Sequence, residues 1–320
     1  MAPPTLAIGI DAGGTKVAGL LVDVATGDIL DRRLVDSPAS DAEASTAAII
    51  ALARDLIGGR SDVHAVGVGA AGLVDLAGAL RFAPNLAWRE FPLRARVERG
   101  VGLPTLVDND ANVAAWGEFR FGAGRGSNHL LMVTVGTGIG GGIVTNGRLM
   151  SGANGFAAEI GHVIVEPGGP RCGCGNQGCW EQVASGRAIG RLGRQAGLDH
   201  PRSLMVELAG GDPSKVDGPA VTRAAQRSDP VAVHVLAEVG RRLGQGIAGL
   251  INVLDPERVV IGGGAMAAGD LLLEPARRAC REAVEAPDHR PEVPIVAAAL
   301  GNDAGAVGAA DLAARALGER

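Results

Sequence analysis

Two stretches of this sequence share one pattern, in which an apolar run, a turn rich in glycine and threonine, and a second apolar run follow one another. Residues 5–22 hold the first copy, with its turn at 13–16, and residues 129–144 hold the second, with its turn at 136–142. A short turn of this kind between two apolar runs predicts a hairpin of strands. Because the pattern restarts after about 120 residues, it predicts a duplicated α/β domain with a cleft between the halves.

Each of the two turns is a candidate phosphate site. Glycines let main-chain N–H groups approach an anion, threonine adds a hydroxyl donor, and Lys16 adds a positive charge. The alternative is an ordinary glycine-rich hairpin, which the second copy makes less attractive. Residues 136, 138 and 141 also fit the GxGxxG pattern of dinucleotide-binding proteins. That interpretation is rejected, because such a turn must open a helix and a strand is expected here.

The remaining periodicity alternates between strands and helices. Further strands are predicted at Ile29–Val35, Val63–Val68, Leu103–Val107 and Arg258–Ile261. Helices are predicted after Ser40, whose spacing to Glu43 fits a capping box, from Asp110 to Phe119, from Val231 to Leu254, from Asp270, and from Asn302-Asp303. Residues 210–218 are predicted to form a surface loop.

Asp110 stands where a predicted strand ends and a helix begins, next to Asn109. Aspartate commonly caps a helix, and either Asp108 or Asp110 suits that duty. The functional alternative is a carboxylate that accepts a hydroxyl proton while Asn109 hydrogen-bonds a neighbouring hydroxyl. The residues alone leave both interpretations open.

A compact set of metal donors lies between residues 162 and 181. His162, Cys172, Cys174 and Cys179 supply one nitrogen and three sulfurs, which suit a tetrahedral zinc ion. Because the four donors leave no open position, the metal is expected to be structural. Cys280 lies in a predicted helix and is expected only to pack. A bound metal would also fix the position of the free ring nitrogen of His162 and of the flanking Glu159 and Glu181. The alternative for the two glutamates is that they are ordinary surface residues.

Composition limits the classes of partner. Hydrophobic residues make up 47% and charged residues 20% of the 320, which is typical of a folded soluble chain. A net charge of -5, 2% aromatic residues and the absence of tyrosine argue against nucleic acid as a partner. The N-terminus lacks the pattern of a signal peptide, and no apolar run is long enough to span a membrane. A cytoplasmic location is therefore expected, where clustered cysteines more often bind metal than form disulfides.

These motifs together resemble the ROK family of sugar kinases and repressors, and bacterial glucokinases within it, over nearly the whole chain. Residues 9–16 look like the family's first phosphate motif and 136–140 like the second. Asp108-Asn109-Asp110-Ala111-Asn112 is similar to its catalytic motif, and residues 159–181 to its zinc and sugar signature. Residues 255–264 resemble the adenosine-side motif, and residues 301–305 the C-terminal helix that returns to the first domain.

The resemblance implies a duplicated actin-like, hexokinase-type (ribonuclease H-like) ATPase fold. The implied domains are 1–112 plus 302–320, a smaller α/β domain, and 113–301, a larger α/β domain carrying the zinc loop. It also implies Asp110 as the general base for a sugar 6-hydroxyl. The implied sugar-binding residues are Gly72, Asn109, Asp110, Glu159, His162 and Glu181. The implied residues around Mg-ATP are Asp11, Gly13, Gly14, Thr15, Lys16, Thr137, Gly138 and Gly263, with Asp11 orienting the Mg²⁺.

The expected activity is phosphorylation of glucose by ATP. Another hexose or an N-acetylhexosamine as acceptor, and polyphosphate as donor, remain alternatives, although the complete cysteine set favours ATP. A third alternative is a sugar-sensing regulator, but such proteins carry an N-terminal DNA-binding domain, for which a first strand beginning by Thr5 leaves no room. The resemblance also implies a homo-oligomer, either a dimer or a tetramer.

Overall fold

The computed structural model describes residues 6–83 and 86–318. Its strands are β1 (Leu6–Ala12), β2 (Lys16–Asp23), β3 (Asp28–Asp36), β4 (Val63–Ala70), β5 (Leu73–Val74), β6 (Leu80–Phe82), β7 (Arg89–Phe91), β8 (Thr105–Asn109), β9 (Leu130–Val135), β10 (Ile139–Thr145), β11 (Arg148–Leu149), β12 (Arg258–Gly262) and β13 (Ile295–Ala297). Its helices are α1 (Ala42–Ile57), α2 (Leu93–Val101), α3 (Asp110–Phe121), α4 (Glu181–Ala184), α5 (Gly186–Asp199), α6 (Leu204–Leu208), α7 (Gly218–Gln226), α8 (Pro230–Leu254), α9 (Asp270–Ala283) and α10 (Ala304–Gly318). Thr5, the predicted start of the first strand, lies outside the described residues.

Contacts between residues divide the chain into two compact units. The first unit comprises Met1–Met132, Gly142–Ala158 and Ala298–Arg320, and the second comprises Val133–Gly141 and Glu159–Ala297. The domain boundary expected at residue 112 therefore falls inside α3, and the whole of that helix belongs to the first unit. The reason is packing, because α3 lies against α10 within that unit.

The first unit contains a sheet with the strand order β3-β2-β1-β4-β8. Strand β1 runs antiparallel to β2 and parallel to β4, and β4 runs parallel to β8. Alternate residues of a strand point to opposite faces of a sheet. Accordingly Ile8 and Ile10 pack in one core cluster with Leu52 of α1, whereas Ala7 packs in a second cluster with Val307 of α10. The carboxyl ends of β1 and β8 deliver Asp11 and Asn109 at the same edge of the sheet.

Helix α10 crosses the sheet at very short range. A methyl group added at Gly9 of β1 would lie 1.8 Å from the carbonyl oxygen of Ala306, and one added at Gly67 of β4 would lie 1.9 Å from that of Ala309. Both distances are far below van der Waals contact, so neither position admits a side chain. These glycines set how closely α10 packs on the two strands.

A small sheet with the order β5-β6-β7, followed by α2, fills the segment between β4 and β8. The sequence patterns did not predict these short elements. Leu80 and Trp88 are fully buried there, and the Trp88 indole N–H donates to the carbonyl oxygen of Ala42 at 3.1 Å. The segment is thereby fixed to α1.

The second sheet has the strand order β11-β10-β9-β12-β13, and the division between units falls within β9 and β10. Strand β12 runs parallel to β13. Helices α4 to α9 belong to the second unit, in which α8 packs along α9. Among the described residues, no helix combines the length and the apolar content needed to cross a bilayer.

Most predicted elements are present, with shifted ends. The hairpin pattern is confirmed, since β1 and β2 pair across one Gly/Thr turn and β9 leads into β10 across the other. The capping box is wrong, because Asp41 and not Ser40 caps α1, accepting hydrogen bonds from the N–H groups of Glu43 and Ala44. The predicted loop at 210–218 contains a single 3-10 turn, Pro213–Lys215, before α7 begins.

Candidate functional site

The first Gly/Thr turn joins β1 to β2 in the first unit. The N–H of Gly13 donates to the carbonyl oxygen of Lys16 at 3.1 Å, which closes the turn, while Gly14 and Thr15 lie exposed at its tip. The Lys16 ammonium forms an ion pair with Asp36 of β3, and both side chains are largely exposed. An exposed pair of this kind is weak, so Lys16 can exchange Asp36 for another anion at little cost.

Asp11 ends β1 just before this turn. A methyl group added at Gly305 would lie 3.3 Å from an Asp11 carboxylate oxygen, so this carboxylate lies against the first turn of α10. Burial, and then the negative charge of Asp110, raise the pKa of Asp11 to about 7.

Asp110 is the first residue of α3, and Asn109 is the residue that caps the helix. The Asn109 side-chain oxygen accepts hydrogen bonds from the N–H groups of Ala111 and Asn112 at 2.8 and 3.1 Å. The alternative that Asp108 or Asp110 is the cap is therefore wrong. The Asp110 carboxylate accepts the Ala111 N–H at 2.9 Å. Burial raises the pKa of Asp110, and hydrogen bonds from the N–H groups of Ala111 and of Asp110 itself offset that rise only in part.

Gly72 meets Asn109 at this edge of the sheet. The Asn109 side-chain amide donates to the carbonyl oxygen of Gly72 at 3.0 Å. Gly72 has a φ of +135°, and a methyl group there would lie 2.4 Å from the carbonyl oxygen of Phe82. The first unit thus brings together four of the predicted residues, namely Asp11, Gly72, Asn109 and Asp110.

The second Gly/Thr turn, in the second unit, joins β9 to β10. The N–H of Gly136 donates to the carbonyl oxygen of Gly138 at 3.0 Å, and the Gly136 carbonyl oxygen accepts the N–H of Gly186 at 2.8 Å. A methyl group at Gly138 would lie 2.3 Å from a carboxylate oxygen of Glu181. The structure therefore places the predicted phosphate turn directly beside a predicted sugar-binding carboxylate.

Residues 162–181, called here the metal loop, contain the four predicted metal donors. These donors converge in the second unit. The ligand atoms of His162, Cys172, Cys174 and Cys179 all lie within 4.8 Å of one another. The sulfurs of Cys174 and Cys179 are 3.6 Å apart, and the Cys172 sulfur lies 3.6 Å from Nδ1 of His162. Sulfurs on a tetrahedral zinc ion, with bonds of about 2.3 Å, are separated by about 3.8 Å. The donor set and its spacing therefore fit zinc.

The residues that flank these donors are fixed by the same fold. Glu159 precedes the 3-10 turn Ile160–His162, and its carbonyl oxygen accepts the His162 N–H at 3.1 Å. A methyl group at Gly161 would lie 2.0 Å from the carbonyl oxygen of Ile139, so this turn packs directly on β10. Since Nδ1 of His162 faces the cysteines, Nε2 remains for another partner.

Glu181 begins α4 at the far end of the metal loop. Its carboxylate oxygen Oε1 accepts hydrogen bonds from the Cys172 thiol and from the Gln182 amide, both at 3.0 Å. Burial, more than any other cause, raises the pKa of the Cys172 thiol to about 12. A metal ion would replace this thiol proton and free Oε1 from Cys172.

A cavity of about 1060 Å³ opens beside the second turn within the same unit. Thr137 lines one end, Gly264 and Ala265 line another, and the walls come from α5 and α7, including Arg187, Arg191, Arg194, Asp217 and Arg223. Gly263 is not among the lining residues. Its φ of +90° and the 2.6 Å from a methyl group there to the Val135 carbonyl oxygen give it a packing role behind the cavity wall.

The α5 and α7 walls are the part of the site that the motifs missed. Ser185 caps α5, and Gly186, which bonds to Gly136, is the first residue of that helix. The run Ala184-Ser185-Gly186 was the signal for this junction. The arginines that follow show no motif spacing by which they could have been found. A further cavity, of about 740 Å³ between α9 and residues 284–295, contains none of the predicted site residues.

Comparison with known proteins identifies the family of this chain. The sequence model of the ROK family matches residues 7–316. The chain belongs to the ROK family. A glucokinase of Streptomyces coelicolor is 44% identical to this ROK chain over 313 residues, which cover 96% of this chain and 97% of that protein. A glucokinase of Thermotoga maritima is 37% identical over 318 residues, which cover 99% of each chain.

Among solved structures, a ROK family glucokinase from Streptomyces griseus, in complex with glucose and AMPPNP, matches this ROK chain with a TM-score of 0.86 and 45% identity. The match covers 97% of this chain and 99% of that one. The expected actin-like sugar-kinase fold is thereby confirmed.

Proposed function

We propose that this ROK protein is a glucokinase, which transfers the γ-phosphoryl group of ATP to the 6-hydroxyl of glucose. The observation that carries the proposal is the match over nearly the whole chain to a glucokinase structure in complex with glucose and AMPPNP, a nucleotide triphosphate analogue. The geometry agrees with this activity, because the described sites contain acidic side chains and glycine-rich turns suited to anions. Phosphoryl transfer depends mainly on positioning and on neutralising charge.

In the first unit, Asp110 is the proposed general base. Its carboxylate accepts the proton of the 6-hydroxyl while that oxygen bonds to the γ-phosphorus, and the bond from phosphorus to the bridging oxygen breaks to release ADP. The described hydrogen bonds to the Asp110 carboxylate come from main-chain N–H groups, those of Ala111 and of Asp110 itself, so lone pairs remain for a hydroxyl. Asn109 and Gly72, which bond to each other, are proposed to hold a neighbouring hydroxyl.

In the second unit, Glu159, His162 and Glu181 are proposed to bind the other sugar hydroxyls. Nε2 of His162 and the carboxylate of Glu181 are both held in place by the metal loop. A zinc ion on His162, Cys172, Cys174 and Cys179 would supply a structural cross-link of the loop when bound. It would also fix the tautomer of His162, so that Nε2 presents a defined hydrogen-bonding role.

The two Gly/Thr turns are proposed to bind the phosphates. Thr137 lines the 1060 Å³ cavity, which is of a size for a nucleoside, and Gly138 follows Thr137 in the turn. Gly14, Thr15 and Lys16 are exposed and offer N–H, hydroxyl and ammonium donors, while Gly13 closes the turn through its bond to the Lys16 carbonyl oxygen. Asp11 would hold a magnesium ion, which supplies charge neutralisation on the phosphates. Gly263 supports the cavity from behind.

A panel of initial rates tests this proposal. ADP release, or sugar phosphate formation where polyphosphate is the donor, is measured with glucose, fructose, mannose, N-acetylglucosamine and N-acetylmannosamine as acceptors. Glucose with Mg-ATP is expected to give the highest kcat/KM. A higher kcat/KM for an N-acetylhexosamine would identify that sugar, instead of glucose, as the acceptor. A higher kcat/KM with polyphosphate would identify polyphosphate, instead of ATP, as the donor. No turnover with any pair, together with sugar binding, would favour the regulator.

Oligomeric state is a separate proposal. The resemblance to the family supports a dimer or tetramer, and light scattering coupled to size exclusion measures the mass directly. The chain has a mass of 32.2 kDa, so a monomer peak at all concentrations would contradict this proposal.

A further inference from the structure

One residue of α8 contacts both sides of the metal loop. The Arg242 carbonyl oxygen accepts the indole N–H of Trp180 at 3.1 Å, and the Arg242 guanidinium donates to the carboxylate of Glu166. Glu166 lies between His162 and Cys172, and Trp180 directly follows Cys179. Arg242 therefore holds the loop before its first cysteine and after its last one.

The two contacted positions are also joined to each other. The Val165 N–H donates to the carbonyl oxygen of Gly178 at 2.9 Å, and the Trp180 N–H donates to that of Val163 at 2.8 Å. These bonds form a short antiparallel ladder across the base of the loop. A displacement of Glu166 is therefore expected to displace Trp180 and the next residue, Glu181.

The indole of Trp180 is the buried part of the contact between the loop and α8. Trp180 is 1% exposed, and a methyl group at Gly246, one turn along α8, would lie 2.1 Å from the indole ring. The edge of the ring that carries Nε1 therefore packs against the backbone of α8 between Arg242 and Gly246. This contact depends on the main chain of residue 242 and survives substitution of its side chain.

The guanidinium contact depends on the side chain alone. Arg242 is held in place by Glu238, which accepts its Nε–H at 2.7 Å from one turn earlier on α8. Hydrogen bonds, from Arg241 above all and then from Arg242, lower the pKa of Glu238 to about 2, so Glu238 stays charged. The Arg242 side chain is 29% exposed and that of Glu166 is 45% exposed, so water weakens their ion pair without abolishing it.

We propose that Arg242 is a positioning residue, which fixes the metal loop on α8 and thereby sets the placement of His162 and Glu181. The expected effect of Arg242 on sugar affinity rests on the proposed function, whereas its expected effect on the mobility of the loop does not. Arg242 itself contacts neither the metal donors nor any predicted sugar-binding group among the described contacts. It acts through Glu166 and Trp180.

The chain offers a matched control in the neighbouring Arg241. Arg241 also donates to Glu238, at 2.8 and 2.9 Å, and is 45% exposed, but it has no described contact with the loop. Arg242→Met removes the bond to Glu166 and keeps an apolar stem and the main-chain carbonyl. Arg241→Met removes the same charge one residue away. Glu166→Gln weakens the bond from the other side, and Arg242→Lys restores a positive charge.

Hydrogen exchange of the zinc-loaded protein, followed by mass spectrometry, measures opening of residues 163–180 directly. Exchange there is expected to be about five-fold faster in Arg242→Met and Glu166→Gln, with partial recovery in Arg242→Lys and no change in Arg241→Met. In the kinase assay the KM for glucose is expected to rise by a similar factor, with kcat and the KM for ATP within about two-fold of their original values.

Equal exchange in Arg242→Met and Arg241→Met would overturn the proposal, and so would faster exchange with an unchanged KM for glucose. Should the unaltered protein fail to phosphorylate glucose, the proposed function falls while the exchange comparison still decides whether Arg242 fixes the loop. Should Arg242→Met not fold, Glu166→Gln and Arg242→Lys carry the same comparison.

Discussion

At the scale of single residues, two carboxyl groups at one edge of the first sheet are proposed to carry the chemistry. Asp11 ends β1, Asp110 follows β8, and burial raises the pKa of both. A general base is useful only as a carboxylate, so the raised pKa of Asp110 means that activity should decline on acidification at a higher pH than for an exposed aspartate. The motif around Asp110 was predicted from the sequence, but its burial was not.

Asp110→Asn should lose at least ~10² in kcat, because the amide cannot accept the hydroxyl proton. Its side-chain oxygen still accepts the Ala111 N–H, so α3 and sugar binding should persist. Steady-state rates and calorimetric titration with glucose measure the two effects. Asp108→Asn is the control, since Asp108 accepts hydrogen bonds from Asn109 and Asn112 and has no proposed role in proton transfer. Comparable turnover in the two variants would remove Asp110 as the base.

Asp11→Asn should stabilise the ligand-free protein, and more so at high pH. The folded state retains the Asp11 proton up to about pH 7, whereas the unfolded chain releases it near the ordinary aspartate pKa of 3.8. The stability that this proton contributes is complete below the lower value and is lost as the pH rises to the upper one. Urea unfolding should therefore show a gain for the variant that grows to about 2 kcal/mol between pH 4 and 8, after allowance for partial exposure. Parallel stability curves for the two proteins would contradict the raised pKa.

At the scale of elements, the metal loop is the part of the site that sequence reasoning predicted best. The donor spacing of residues 162–179 is nearly sufficient by itself, because three cysteines and a histidine this close together supply a complete tetrahedral donor set for zinc. The contacts that dock the loop, through Arg242 and Trp180, were not predicted. They join residues more than sixty positions apart in sequence, and no local pattern encodes such a pairing.

Cys174→Ala should raise the KM for glucose by about ten-fold and lower Tm, because three donors hold zinc poorly and the loop then loses its cross-link. Zinc content by mass spectrometry, Tm and KM are measured on the same sample. Cys280→Ala is the matched control, since Cys280 is buried in α9 away from the donors. It should lose some stability and keep both its zinc and its KM. Unchanged glucose affinity in a zinc-free Cys174→Ala protein would separate the loop from the sugar.

The helices and strands themselves were predicted to different extents. Long elements with a clear period, such as β1, β2 and α8, were found within a few residues. The β5-β6-β7 sheet was missed because its strands have only two or three residues each, too few to show alternation. The N-cap of α1 was assigned to Ser40 instead of Asp41 because adjacent polar residues suit that position equally well in sequence.

At the scale of the whole molecule, the first unit is assembled from three separate stretches of chain. The return of the C-terminal stretch depends on Glu118 of α3, which is fully buried. Its carboxylate accepts the N–H groups of Ala123, Ala299 and Leu300 at 2.7, 3.0 and 2.7 Å. The family resemblance predicted that α10 returns to this unit, yet neither the contacts of Glu118 nor the division after Met132 could be predicted from periodicity.

Glu118→Ala should destabilise the protein by about 3 kcal/mol, because three N–H groups lose a charged acceptor in a buried place. Denaturant unfolding measures the change. The surface variant Glu274→Ala, which removes an exposed ion pair with Arg277, should stay within about 0.5 kcal/mol of the original protein. A loss in Glu118→Ala no larger than in that control would mean that water replaces the carboxylate and that the return is held by packing alone.

The contact between Gly138 and Glu181 limits how this enzyme can change its substrates. Since any side chain at position 138 would displace the Glu181 carboxylate, the proposed roles predict that an alteration made there for a new phosphoryl donor also disturbs recognition of the sugar. Laboratory evolution toward either specificity would have to change both positions together, for instance by pairing a larger residue at 138 with a shorter acid at 181. If Gly138 and Glu181 have their proposed roles, donor and acceptor preference are expected to change together.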